Sequence, residues 1–293
     1  MAEAPQDSQI ALLAARYVFA DELARRSNQA RQKLATATLQ QAFCGATKCK
    51  PENARKLALG VLIYLREGRE NATAIIAELV FTPPFAPHDI SVDDSELQAA
   101  LPILMDAMGL KMSAMLPWKL KKEAQKAYGQ RRKGATLGIL GLGVAAAALL
   151  IPVVGPAISG YAGAAALTST LAFIGGSMQG GMLLLGVGGL MGGSLLVIGL
   201  APVIRAIGVD GLRLELMKLE VNQRLQWPFI DMGGDQAIEV MKNLMALCKE
   251  HEETTRHEAE ISDVGSKLVS EYRDMIKLYD IAIKRFQGWS EKK

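Results

Sequence analysis

Cysteine and histidine are the residues of this sequence that could bind a metal or supply a nucleophile, and there are few of them. Cys248, His251 and His257 fall on one predicted helix. Cys248 and His251 are three positions apart and share a helix face, whereas His257 lies six positions further on and is displaced round the helix. A structural zinc site usually takes four ligands from two pairs. We therefore interpret these three as unrelated core and polar residues and predict no metal ligand.

The other thiols and the remaining histidine give no stronger signal. Cys44 and Cys49 are five positions apart at a predicted helix end, and no second pair completes a zinc site. Three cysteines make an odd and sparse set, which predicts thiols in a reducing, cytoplasmic compartment and no disulfide framework. His88 lies in a Pro-rich loop, where exposure to solvent is the usual outcome for a histidine.

No other motif indicates catalysis. Gly186 to Gly193 has glycine-rich spacing, but a phosphate-binding loop needs a strand before it and Lys-Ser or Lys-Thr after it, and the next basic residue is Arg205. The basic run 119–133 lacks the aromatic interleaving and groove-reading motifs of nucleic-acid-binding proteins. The sequence therefore predicts that the protein is not an enzyme. No catalytic residue, cofactor, small-molecule substrate or nucleic-acid partner is expected.

One apolar stretch, from Gly134 to Ile204, dominates the sequence. Its seventy-one residues include no Asp, Glu, Lys, Arg or His. A membrane-spanning helix needs about 20 apolar residues, so the stretch is long enough for two to four crossings. Residues 205–224 carry four basic and three acidic side chains, and this weakly positive flank favours an even number of crossings.

Glycine spacing within this block indicates close helix packing. The block holds 17 of the 28 glycines. Small residues four apart let two helix backbones approach each other in lipid, where the hydrophobic effect no longer drives helices together. We therefore expect a Gly-rich membrane hairpin or small bundle. The predicted membrane-packing glycines are Gly134, Gly138, Gly141, Gly176, Gly180, Gly188, Gly189, Gly192 and Gly193.

Positive charge is concentrated just before the block. Residues 119–133 carry seven basic and one acidic side chain, a net of +6, whereas residues 1–118 carry 12 basic and 13 acidic, a net of −1. This distribution matches the positive-inside rule and predicts contact with an anionic leaflet, although a solvated helix face is the alternative. The predicted headgroup flank comprises Trp118, Lys119, Lys121, Lys122, Lys126, Tyr128, Arg131, Arg132 and Lys133.

The rest of the chain shows helical periodicity and no alternation of period two, which predicts an all-α fold. Residues 8–43 predict one long helix, and residues 235–288 predict one very long helix or two with a break near Ser262 or Gly265. Capping-box spacing at Ser91 to Asp94 and at Thr255 to Glu258 predicts helix starts, and Asp235 after Gly233-Gly234 predicts another. The clearest apolar stripe is Ile261, Val264, Leu268, Tyr272, Met275, Tyr279, Ile283 and Phe286.

Four regions follow from these boundaries. An N-terminal helical domain is predicted over 1–116, a basic juxtamembrane helix over 117–133, a hydrophobic Gly-rich membrane region over 134–208 and a long-helix region over 209–293. No signal peptide is predicted, because Asp21 and Glu22 interrupt the only apolar run near the start and no small-residue cleavage site follows it. The prediction is a membrane protein with its soluble helices in the cytoplasm.

Three functions remain open. The first is a non-enzymatic protein that anchors, scaffolds or remodels a membrane, with helices that self-associate or bind partners. The second is a pore-forming or conditionally inserting protein, which in outline resembles helical toxins and bacteriocin pore domains; the amphipathic helices would cover the apolar block until insertion. The third, a channel or transporter subunit, is weakened because transport paths usually need an ionisable residue and the block has none.

Overall fold

The structure is a computed structural model that describes residues 4–27, 29–67, 69–86, 88–129, 209–226, 233–259 and 263–290. These residues form nine α-helices and two short 3-10 turns, and no strand occurs among them, so the predicted all-α class is confirmed. The whole membrane region predicted over 134–208 lies outside these ranges. None of the described helices is long and apolar enough to cross a membrane.

The helices follow one another in a simple order. They are α1 (Ala4–Ser27), α2 (Ala30–Thr47), α3 (Ala54–Tyr64), α4 (Arg69–Phe81), α5 (Asp94–Ala107), α6 (Met115–Tyr128), α7 (209–226), α8 (Gly233–Ala259) and α9 (Asp263–Ser290). The 3-10 turns Pro51–Asn53 and Leu65–Glu67 come before and after α3.

The predicted single helix over 8–43 is wrong, because α1 and α2 are separate helices that pack against each other. Gln29 is extended (φ −79°, ψ 130°), and its amide donates to the Ser27 hydroxyl over 3.4 Å. Serine and asparagine side chains compete with helical hydrogen bonds in this way. The Thr36 hydroxyl on α2 lies 3.3 Å from the Ala20 carbonyl oxygen on α1. The two helices therefore form a hairpin.

Helix α1 lies at the centre of the N-terminal helices. Nearly every side chain from Ala11 to Ala20 is buried, so the helix has no polar face, and it contacts α2, α3, α4 and α5. A helix that is buried all round needs no apolar stripe. On α2, by contrast, the apolar side chain of Leu34 is 69% exposed.

Local sequence explains several helix ends, although not always through the expected residue. Helix α2 runs on through Gly45 to Thr47 and ends where Lys48 adopts a left-handed conformation (φ 55°). Helix α5 begins after Asp93 and not after Ser91, so the capping box predicted at Ser91 to Asp94 is wrong. The helix continues past Pro102. The predicted Pro-rich loop follows α4 over the described residues 82–86.

The C-terminal helices α8 and α9 form a second hairpin, which confirms the alternative with a break near Ser262. Helix α8 starts at Gly233 itself and includes Thr255, so the helix starts predicted at Asp235 and Thr255 are wrong. The predicted stripe on α9 packs into the core. Its buried members are Tyr272, Met275, Tyr279, Ile283 and Phe286.

Helix α7 joins the two groups of helices. Its residues 216–222 are all buried, and the apolar ones among them belong to the same core as α1, α4, α6 and α9. The first described helix after the apolar block is therefore enclosed by helices from both ends of the chain.

Candidate functional site

The helices that precede and follow the apolar block contact each other directly. Glu123 on α6 accepts a hydrogen bond from Arg224 on α7 over 2.5 Å, and each of the two side chains is less than two-fifths exposed. Five residues further along α6, burial raises the pKa of the Tyr128 hydroxyl, and the nearby Glu220 carboxylate on α7 raises it further. As the residue number on α6 increases from Glu123 to Tyr128, the number of the contacting residue on α7 decreases from Arg224 to Glu220. The helices therefore run antiparallel.

Helix α4 also packs antiparallel to α7. The Gln226 amide donates to the Thr73 hydroxyl over 3.2 Å, and the Lys218 ammonium lies 2.7 Å from the Glu78 carboxylate. Here too, the residue number increases along α4 while the number of its partner on α7 decreases. Because α6 precedes the block and α7 follows it, antiparallel packing places the C-terminal end of α6 and the N-terminal end of α7 on the same side of the helical body.

Two clusters of buried and half-buried charges contact α7. In the first, the Lys218 ammonium contacts Glu78 at 2.7 Å and Glu215 at 2.9 Å, and the Thr82 hydroxyl donates to Glu78 over 2.7 Å. Burial lowers the pKa of Lys218, but Glu215 and Glu78 more than offset it and raise the pKa above its usual value. Burial is also the main cause that raises the pKa of Glu215, against the opposing effect of Lys218.

Arg16 extends this first cluster to α1. The side chain is 6% exposed and donates to the Ala86 carbonyl oxygen over 2.9 Å. Burial lowers the pKa of Arg16, and the Glu78 carboxylate partly reverses the effect. The cluster thus contains two cations, Arg16 and Lys218, and two carboxylates, Glu78 and Glu215.

The second cluster centres on Glu220, whose side chain is fully buried. Both Arg285 nitrogens Nε and Nη2 donate to its two oxygens, Nε over 2.7 Å, and this raises the pKa of Arg285. Arg224 reaches Glu220 at 3.8 Å while it binds Glu123. The Trp289 ring lies 5.4 Å from the Arg224 guanidinium and 5.7 Å from that of Arg285. This cluster too has two positive and two negative groups.

Balanced buried charges affect position more than stability. Desolvation of an ion costs several kcal/mol, and pairing repays that cost only when the geometry is good. If α7 shifted along its axis, a charge would be left buried without a partner. The two clusters therefore fix the register of α7 against α4, α6 and α9.

The predicted headgroup flank divides into two parts. Trp118 and Tyr128 are 3% and 4% exposed, so protein covers both rings in this conformation. Lys119, Lys122 and Lys126 are exposed and lie three and four positions apart, which places them on one helix face. That basic face is available to an anionic surface, and lipid contact there stays a prediction.

Lys121 belongs to the buried side of α6. Its ammonium donates to the Val80 carbonyl oxygen and lies 4.9 Å from the Trp118 ring centroid. Burial lowers the pKa of Lys121. In this conformation Lys121 therefore joins α6 to α4. Arg131, Arg132 and Lys133 lie outside the described residues, as do all nine predicted packing glycines.

The candidate metal-binding residues are not brought together as a cluster. Cys248 is buried, and His251 stacks on Tyr272 with ring centroids 5.7 Å apart. Within the described ranges, no group of three or more His, Cys, Asp or Glu residues is arranged to hold a metal ion. Cys44 and Cys49, in contrast, lie in direct contact.

Sequence reasoning missed both charge clusters. The signal was present in the run 214–222, where charged residues alternate with apolar ones and no helix face is wholly polar. Such a helix is buried all round, and its charges then need partners.

In comparisons with known proteins, no protein-family model, no curated protein and no solved structure matches this chain.

Proposed function

We propose that the protein is a non-enzymatic membrane protein in which a Gly-rich helical hairpin within 134–208 anchors a helical body. The body provides surfaces for self-association or partner binding. The proposal rests on the apolar block and on the antiparallel contact of the helices that flank it, represented by Glu123 and Arg224. Two ends that leave a rigid body in one direction suit a segment that enters and leaves a bilayer on the same side.

The way the amphipathic helices pack also supports anchoring over conditional insertion. A protein that hides its apolar block before insertion needs free apolar helix faces to cover it. The apolar stripe of α9 packs into the shared core, and residues 11–20 of α1 are buried on all sides by neighbouring helices. Among the described residues, the large exposed apolar side chains are Leu34, Leu57, Ile63, Tyr64 and Met115.

Membrane fractionation of the full chain tests this proposal. The protein is expressed alone, without any added factor that lyses the cells. The membrane pellet is then extracted with carbonate and assayed for the protein. We expect retention in the washed membrane, because a block of more than seventy uncharged residues can bury its length in the bilayer. Recovery of a soluble, monodisperse chain would contradict anchoring and favour the pore-forming alternative.

Two matched variants locate the source of retention. Changing Leu183, Leu184 and Leu185 to Asp places three charges in the block and should shift the protein toward the extracted fraction. Changing Leu34, Ile63 and Tyr64 to Asp places the same charges on the exposed surface of the body and should leave retention unchanged. Equal extraction of the two variants would contradict the proposal that the block is the membrane anchor.

A further inference from the structure

Cys44 and Cys49 face each other across the turn that ends α2. The Cys49 thiol donates to the Cys44 sulfur over 3.1 Å, and both residues are half-buried. Between them, Lys48 adopts a left-handed conformation that turns the chain back toward the helix. The Gln40 side-chain amide donates to the Pro51 carbonyl oxygen over 2.8 Å and holds the returning segment against α2. The helix end thus builds the contact between the two thiols.

The third cysteine is in a different situation. Cys248 is 1% exposed, and burial raises the pKa of its thiol to about 11. It therefore has neither access to a reagent nor a ready thiolate. Burial likewise raises the pKa of Cys44 to about 11. Cys44 is consequently a poor first nucleophile, and attack by Cys49 is the favoured first step.

We infer that Cys44 and Cys49 form a dithiol modification site that glutathione disulfide oxidises to an intramolecular disulfide. The sulfurs approach from 3.1 Å to a bond of about 2.05 Å, a movement of about 1 Å that side-chain rotation can supply. The site is independent of the membrane-anchoring proposal, because it lies at the connection between α2 and α3.

The oxidation proceeds by two thiol–disulfide exchanges. Cys49 loses its proton to water, and its thiolate attacks one sulfur of glutathione disulfide, which releases one glutathione thiolate. Cys44 then loses its proton and attacks the Cys49 sulfur of the mixed disulfide, which releases the second glutathione. The protein loses two protons and two electrons, and the disulfide reagent is reduced to two glutathione molecules.

The test equilibrates the detergent-solubilised full chain in glutathione buffers of increasing oxidised fraction, quenches it with N-ethylmaleimide and maps peptides by mass spectrometry. We expect a peptide with Cys44 and Cys49 joined and two hydrogens lost, and Cys248 unmodified until denaturation. In Cys44→Ser no neighbouring thiol resolves the adduct, so glutathione on Cys49 should rise at least about tenfold. Cys248→Ser, the matched control, should leave the disulfide yield unchanged.

Two results would overturn the inference. One is a pair that stays fully reduced in buffers that oxidise dithiothreitol. The other is a wild-type chain that accumulates separate glutathione adducts on Cys44 and Cys49, as much as the Cys44→Ser variant does on Cys49. Either result would mean that the two thiols are neighbours without forming a redox pair.

Discussion

Arg224 donates a hydrogen bond to Glu123 over 2.5 Å and so joins the helix that follows the apolar block to the helix that precedes it. Their positions are 101 residues apart in the chain. Together with the Thr73–Gln226 and Glu78–Lys218 contacts, this pair places the C-terminal end of α6 and the N-terminal end of α7 on one side of the helical body. The proposed anchor would keep the body on one side of a membrane.

Removal of Lys218 alone should strongly destabilise the body. Lys218→Met leaves Glu78 and Glu215 buried without their shared cation, and we expect a loss of about 3–5 kcal/mol in the free energy of unfolding. Guanidinium unfolding in detergent, followed by tryptophan fluorescence, measures it. The control is Lys277→Met, whose side chain is 72% exposed and which should change stability by less than about 0.5 kcal/mol. Similar losses in both variants would contradict a role for the buried cluster.

Tyr279 should make the body less stable at alkaline pH. Burial raises the pKa of its phenol above the usual 10.0, so above pH 10 the unfolded chain releases this proton while the folded chain keeps it. Stability therefore falls as pH rises, by about 1.4 kcal/mol between pH 8 and pH 11 from this group alone.

The Tyr279→Phe variant measures this contribution, because its loss of stability between the two pH values should be smaller than that of the wild type by about this amount. Tyr64 is 76% exposed, and Tyr64→Phe serves as the control that should keep the wild-type pH dependence. An unchanged pH dependence in Tyr279→Phe would show that the buried phenol does not contribute.

How much the sequence can predict depends on how local the cause is. The buried face of α9 follows from apolar residues three and four apart, and Tyr272, Met275 and Tyr279 lie in the core as expected. The break between α1 and α2 could not be predicted in this way. The two helices are separated by so few residues that their apolar positions still follow the spacing of a single helix. Only the local hydrogen bonds of Ser27 and the packing of α2 on α1 reveal it.

The charge clusters depend on partners that are distant in sequence. Glu220 binds Arg285, 65 residues away, and Lys218 binds Glu78 on a helix before the apolar block. No spacing rule relates such positions. The same applies to Trp118: its place beside a basic run predicted the headgroup layer, and the packing of α6 on α4 buries its ring.

The basic face of α6 should favour anionic membranes. Changing Lys119, Lys122 and Lys126 to Gln removes three exposed charges beside the block, each worth roughly 1 kcal/mol near an anionic surface. We expect binding of the full chain to phosphatidylcholine vesicles that contain phosphatidylserine to fall about 100-fold at low salt, with little change for pure phosphatidylcholine. Vesicle co-sedimentation measures both.

The matched control for this charge removal lies on α9. Lys267, Lys277 and Lys284 are exposed, and their replacement by Gln removes the same charge far from the block in sequence. If this variant loses as much binding as the α6 variant, net charge and not the α6 face determines the preference for anionic lipid.

The glycines of the block should support helix packing within the membrane. We expect Gly188→Leu or Gly192→Leu to weaken assembly in membranes, because a bulky side chain keeps the two backbones apart. The comparison is Gly60→Ala in α3, where the added Cβ meets no atom within 4 Å and stability should rise by about 0.5–1 kcal/mol. Crosslinking in native membranes measures assembly, and unchanged crosslinking in the Leu variants would argue against glycine packing.

The most direct test of the account is the sidedness of the two helical flanks. Lys122→Cys on α6 and Lys249→Cys on α8 are placed singly in a chain with its three cysteines changed to Ser, and sealed membrane vesicles are treated with a membrane-impermeant maleimide. The account predicts that both sites are labelled in inside-out vesicles and both protected in right-side-out vesicles. Labelling of the two sites from opposite sides would contradict a hairpin whose ends leave one body.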